Sequence, residues 1–212
     1  DGRTIIMSGT PAYGSTGGGL LIWDKKTRAM TVLGDKDVIP DQSTLSMVVL
    51  PGGNILAGTT TAPGTGGEKK AAEALLYVMD LAARRVIWKE AVLPGVQEYT
   101  DLQAGPGGLV YGLADRKLFF VYDPAKRTVL AKQDVEAELG HAAYHQGPRV
   151  FVEGPKGALY ALFSKGIARV NAKSNTLELI ARSPVLIDTG GDYFNGRIYF
   201  SSGSHLLSYV ID

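Results

Sequence analysis

Cysteine is missing from all 212 residues of the chain. Its absence excludes disulfides, a thiolate nucleophile and cysteine-ligated zinc together. It also favours an extracytoplasmic location, periplasmic or secreted, where a stray thiol would be oxidised. Only two tryptophans and three histidines are present. Twenty-two basic residues face 21 acidic ones, leaving a net charge of +1. No basic stripe of the kind that neutralises phosphates is seen, so nucleic acid is not an expected partner. No apolar run reaches the roughly 18 residues a membrane helix needs, so membrane insertion is not expected either. The opening Asp1-Gly2-Arg3 lacks the features of a signal peptide, and an export signal would lie upstream of it.

What the chain has in quantity is glycine, 27 residues, and five of these mark a repeat. Gly2, Gly53, Gly108, Gly157 and Gly196 each precede an apolar strand, with Ile5, Leu56, Tyr111, Tyr160 or Tyr199 three residues on. After a gap, a second apolar strand closes on Asp24, Asp80, Asp123, Asn171 or Asp212. The glycines stand 39 to 55 residues apart, within or near the period of propeller blades, roughly 40 to 50. Runs such as Leu118-Phe119-Phe120-Val121-Tyr122 are apolar throughout, which suits a strand buried on both faces. The closing acid is expected to accept backbone hydrogen bonds in an Asx or type I turn, with Pro124 fixing φ just after Asp123.

A third strand follows each of these turns and a fourth precedes the next glycine, so the strands group as 3, 4, 4, 4 and 3. The expected fold is all-β: a β-propeller of four-stranded antiparallel blades, about five of them, three complete and two partial. The units run approximately 1–43, 44–97, 98–146, 147–184 and 185–212, in one propeller domain or the C-terminal part of one. Ring closure is how propellers protect their sheet edges. Missing blades upstream, or a second copy of the chain, would complete the ring. Residues 68–88 have helical propensity, yet the register lays Leu75 to Asp80 on Leu20 to Asp24 and makes this segment strand. At most one helical turn would survive at Glu68 to Glu73.

Naming the strands of a unit A to D from the axis outward, the glycine turn joins A to B and the acid turn joins C to D. The B–C loops of the first two units are long and glycine-rich, at 9–19 and 59–74, and the D–A connection after Asp134 is also long. B–C and D–A connections emerge at the same end of a blade, and loops on a rigid scaffold are where binding groups concentrate. Candidate ligand-binding residues are therefore Tyr13, Gln42, Glu98, Tyr99, Asp101, His141, Tyr144 and His145, joined at the rim by Asp41, Ser43, Gln97 and Asp188. This polar, aromatic-bearing rim suits a hydroxyl-rich ligand. His141 and His145 are four apart, but neither HExxH nor a matched carboxylate accompanies them, and no metal is expected. Gly17-Gly18-Gly19 and the stretch from Gly64 to Lys70 lack the ending of a phosphate loop.

These elements resemble uncharacterised bacterial, often secreted, β-propeller proteins of the broad YVTN and quinoprotein-like group. The resemblance rests on Gly-Gly-Leu-Leu-Ile-Trp-Asp (18–24), Val-Ile-Pro-Asp-Gln-Ser (38–43), Ala-Gly-Thr-Thr (57–60) and Glu-Ala-Leu-Leu-Tyr-Val-Met-Asp (73–80). The stretches at 105–115 and 118–124 complete it. It implies a carbohydrate-related or cell-surface setting. With only Trp23 and Trp88, the recurrent tryptophan docking of quinoprotein blades is missing, and no cofactor is implied. The functional expectation is a noncatalytic propeller that binds a glycan or protein through the rim and the loops 9–19 and 59–74. Two alternatives stand beside it. One is a polysaccharide lyase using His141, Tyr144 or His145 as acid and base; the other is a structural role in assembly.

Overall fold

A computed structural model of the chain describes residues 2–143 and 149–211. Asp212, Tyr144 and His145, singled out above, lie outside the described residues. Eighteen strands among the described residues form five antiparallel sheets, each made of strands consecutive in sequence. Sheet 1 holds β1 (Thr4–Ser8), β2 (Leu20–Asp24) and β3 (Met30–Leu33). Sheet 2 holds β4 (Ser43–Val49), β5 (Ile55–Thr60), β6 (Leu76–Asp80) and β7 (Arg85–Glu90). Sheet 3 holds β8 (Tyr99–Ala104), β9 (Val110–Ala114), β10 (Leu118–Asp123) and β11 (Thr128–Asp134). A four-residue helix, α1 (Glu136–Leu139), leads toward sheet 4, formed by β12 (Phe151–Glu153), β13 (Leu159–Phe163), β14 (Gly166–Asn171) and β15 (Thr176–Arg182). Sheet 5 holds β16 (Thr189–Phe194), β17 (Arg197–Ser202) and β18 (His205–Val210).

The 3-4-4-4-3 grouping is the one the repeat predicts. The last A strand starts at Thr189. Asp188 is held back in the connection, where its carboxylate accepts the Gly203 N–H at 2.6 Å and the Ser201 hydroxyl at 3.1 Å. No helical turn forms at 68–73. There Glu73 accepts the Gly95 N–H at 2.9 Å on its carboxylate and the Gln42 amide at 3.2 Å on its carbonyl, and these tertiary bonds override propensity.

The repeat markers occupy equivalent conformations. All five marker glycines have φ between +62° and +92°, the left-handed region that glycine enters without cost. The closing residues cap their turns. Asp24 accepts the N–H groups of Lys26 and Thr27, both at 2.9 Å, and Asp80 that of Ala83 at 2.9 Å. Asp123 accepts those of Ala125 and Lys126, and Asn171 those of Lys173 and Ser174. Four residues after each closing residue stands a non-glycine residue with positive φ: Arg28, Arg84, Arg127 and Asn175. Backbone bonding holds the Asp24 and Asp123 carboxyls below the ordinary range, with Arg3 the largest influence on Asp24.

The chain divides into two compact units, 1–99 and 100–212. In the first, Leu20 and Ile22 of sheet 1 pack with Ile55, Ala57, Tyr77 and Met79 of sheet 2. The other face of sheet 1 carries Ile5, Met7, Leu21, Trp23, Met30 and Val32 in cross-strand register, with Met30 and Val32 69% and 71% exposed. In the second unit, Tyr111 and Phe119 of sheet 3 meet Phe151 of sheet 4, whose ring lies edge-on to Phe119 at 6.4 Å. The far side of sheet 4 places Tyr160 and Leu162 against Ile198 and Phe200 of sheet 5. Each such side chain taken out of water contributes about 1.5–3 kcal/mol.

Candidate functional site

Within each unit the B–C and D–A connections meet through a recurring backbone bond. In the first unit the Gly18 N–H donates to the Gln42 carbonyl at 3.1 Å and the Thr61 N–H to the Gln97 carbonyl at 2.9 Å. In the second, the Ala142 N–H donates to the Arg116 carbonyl at 2.8 Å and the Ile187 N–H to the Ser164 carbonyl at 3.2 Å. The two loop classes are therefore adjacent in all four cases, and several candidate residues are consumed in fastening the chain nearby.

Gln42 is buried. Its side-chain Oε1 accepts the Thr59 hydroxyl and its Nε2 donates to the Glu73 carbonyl at 3.2 Å. Thr59, which the sequence did not mark, also accepts the Leu75 N–H at 2.8 Å. Tyr99 is fully buried, its carbonyl receiving the Ser46 hydroxyl at 2.7 Å, and its Cβ sits where a side chain on Gly58 would stand. Glu98 is half-buried and its backbone bridges to Thr60.

Asp101 is a buried clasp. One carboxylate oxygen accepts the Val150 and Phe151 N–H groups at 2.8 and 2.9 Å, and the other accepts that of Leu102 at 2.9 Å, tying β8 to the start of β12. Burial pushes its pKa up to about 6, against the pull of the three N–H donors. Asp188, by contrast, is held below the ordinary range, chiefly by the Gly203 N–H. His141 stands at the surface with Nε2 3.2 Å from a Glu136 carboxylate oxygen, and Lys117 pairs with the same carboxylate. An acid–base pair of His141 with Tyr144 or His145 falls partly outside the described residues. Among the described residues no cluster of three or more His, Cys, Asp or Glu has metal-binding geometry.

Tyr13 differs from the rest. It is 82% exposed, on a loop that is itself well anchored. The Gly14 N–H donates to the Thr65 carbonyl at 2.8 Å, the Gly64 N–H to the Ser15 carbonyl at 3.0 Å, and the Thr16 hydroxyl to the Glu68 carbonyl at 2.6 Å. The two inserted loops thus form a short ladder of their own. Close approach explains their glycines: a Cβ on Gly64 would lie 2.4 Å from the Ala12 carbonyl oxygen, and one on Gly66 would lie 3.1 Å from the Tyr13 ring.

With this geometry in view, solved structures supply the comparison. The β-propeller domain of Cps50 (Swd1) from Myceliophteria thermophila superposes with a TM-score of 0.62 at 15% identity, over 92% of this chain and 63% of that one. The extracellular domain of a putative one component system from B. thetaiotaomicron gives 0.61 at 12% identity, over 98% of this chain and 26% of that one. The fold is that of a β-propeller. The chain spans less than two thirds of either neighbour, and at these identities the likeness establishes the fold alone. No protein-family model matches the sequence, and no curated protein matches it. No helix among the described residues is long and apolar enough to cross a membrane.

Proposed function

We propose that this propeller is a noncatalytic binding module whose recognition element is the paired loops 9–19 and 59–74 with Tyr13 at their crest. The observation that carries this reading is the combination of an open aromatic ring with a backbone ladder beneath it. Cross-loop bonds hold the loops in place before any ligand arrives, which lowers the ordering cost of binding. An exposed tyrosine offers a large amphipathic surface at small entropic cost. A hydroxyl-rich glycan fits this open ring, with a protein surface as the alternative ligand. An extracytoplasmic setting accords with the missing cysteines and with the extracellular neighbour. Tyr13→Ala is expected to abolish retention on a glycan array, or capture of a defined protein ligand, while the thermal midpoint stays within about 1 °C. Undiminished binding by this variant would remove the reading.

A second reading, assembly, rests on the open face of sheet 1. Sheet 2 presents Ile55, Ala57, Tyr77 and Met79 to sheet 1, and at the corresponding strand positions sheet 1 presents Ile5, Met7, Leu21 and Trp23. The repeat itself therefore indicates what covers this face: a further sheet of the same kind. Sedimentation velocity distinguishes its source. A dimer dispersed by Val32→Lys assigns the cover to a second copy, and a monomer at all concentrations removes self-assembly.

A further inference from the structure

Within each sheet the turn joining A to B lies at the opposite end from the B–C loop, and one of these turns departs from the pattern of the others. Pro51-Gly52-Gly53 and Pro106-Gly107-Gly108 each place two successive glycines in the left-handed region, and Asn195-Gly196 does so with asparagine first. The fourth unit reads Pro155-Lys156-Gly157, with Lys156 at φ +56°. Glycine and asparagine enter this region readily; a lysine does so against steric cost. Strain of this kind in one repeat and not in its siblings points to a role for the side chain.

Lys156 borders a groove of about 1050 Å³ in the second unit, to which Gln103, Tyr111, Glu153, Arg169 and Lys173 also contribute. The side chains of Lys156, Arg169 and Lys173 are exposed, and among the described residues none has a carboxylate partner. Arg169 stands beside Glu178 in the sheet register, yet Glu178 accepts the Asn171 amide at 2.6 Å instead. The tyrosines of the wall lie flat beneath the turns. A Cβ on Gly105 would meet the Tyr111 ring at 2.8 Å, and one on Gly154 the Tyr160 ring at 2.5 Å. The two residues are 3% and 4% exposed, so neither offers a ring face for stacking on a sugar. The Tyr111 hydroxyl is buried without a partner among the described residues.

The geometry points to a second binding site, in which this groove holds an extended acidic peptide and Lys156, Arg169 and Lys173 bind its carboxylates. Three cations outnumber the two carboxylates of the lining, Glu153 and Glu178, the latter already engaged by Asn171, and so match spaced carboxylates; the absence of an open ring face disfavours a glycan here. The test is fluorescence anisotropy with a labelled hexaglutamate peptide at low salt, on the intact chain. Lys156→Gly is expected to weaken binding about 3- to 10-fold while leaving the thermal midpoint unchanged or raising it by about 2 °C, because strain is relieved. Arg169→Gln should weaken binding similarly, and Lys25→Gln, in the acid turn of the first unit, should not. Three results would overturn the site: no binding at 1 mM peptide, equal loss with Lys25→Gln, or preferential binding of oligogalacturonate, which would make the ligand a uronate glycan.

Discussion

At both ends of the sheets polar residues fasten backbone groups, but each end leaves different ones over. Where B–C loops meet D–A connections, loop lengths vary and the chemistry looks varied, yet Gln42, Asp101 and Asp188 are spent on backbone groups. At the A–B and C–D end the turns repeat closely and the closing residues cap them, yet among the described residues Lys156, Arg169 and Lys173 face solvent without a carboxylate partner. A conspicuous polar residue beside a variable connection is thus first a fastener, because irregular backbone brings N–H and carbonyl groups that must be satisfied. A small departure within a strict turn is the stronger pointer to a ligand, because the turn's own bonds are already complete.

The sharpest way to break this contrast is at Asp101. Asp101→Ala leaves the Val150, Phe151 and Leu102 N–H groups without their acceptor, and should cost on the order of 4 kcal/mol in urea unfolding followed by a probe in the second unit. A loss below about 1 kcal/mol would show that the clasp is ornamental and reopen Asp101 as a ligand residue. The pH dependence comes next. Because the folded-state pKa, about 6, lies above the ordinary value near 3.9, the folded protein holds this proton more tightly than the unfolded chain. The associated stability is complete below about pH 4 and fades as pH rises through 6, by roughly 3 kcal/mol. Midpoints measured from pH 4 to 8 should show this decline, and Asp101→Ala should flatten it.

Gln42→Ala, which removes the amide that meets the Glu73 carbonyl and leaves the Thr59 hydroxyl only its bonds to Leu75, should cost about 1 kcal/mol. If it instead left stability untouched while abolishing glycan binding, Gln42 would return to the ligand side. Asp80→Ala removes one turn cap and should cost about 1 kcal/mol, the usual worth of a side-chain cap on backbone N–H groups. Thermal melts of this variant, beside Tyr13→Ala, would show whether the acids are as structural as Tyr13 is not.

The fold was readable because its markers are local. A glycine forced into positive φ and an acid that caps a turn act within a few residues, so Gly53 with Asp80, or Gly108 with Asp123, announce a blade without reference to the rest of the chain. The candidate site was less readable because fastening is not local. Nothing within ten residues of Gln42 shows that its amide meets Glu73, nor does anything near Asp101 show that its partners are Val150 and Phe151. Tyr99 was misjudged for the same reason: its burial depends on strands β4 and β5, far back in the sequence. Lys156 was visible in the pattern, as the lysine in a row of glycines, but only its backbone angle gives that exception weight.

The residue four positions past each closing acid has a practical use. Arg28 and Arg84 sit in a backbone shape that disfavours them by about 1 kcal/mol each, and the fourth unit already has Asn175 at this place. Copying that choice into the earlier hairpins offers a route to greater heat tolerance drawn from the protein's own sequence. The two positions lie in different sheets, so their gains should add.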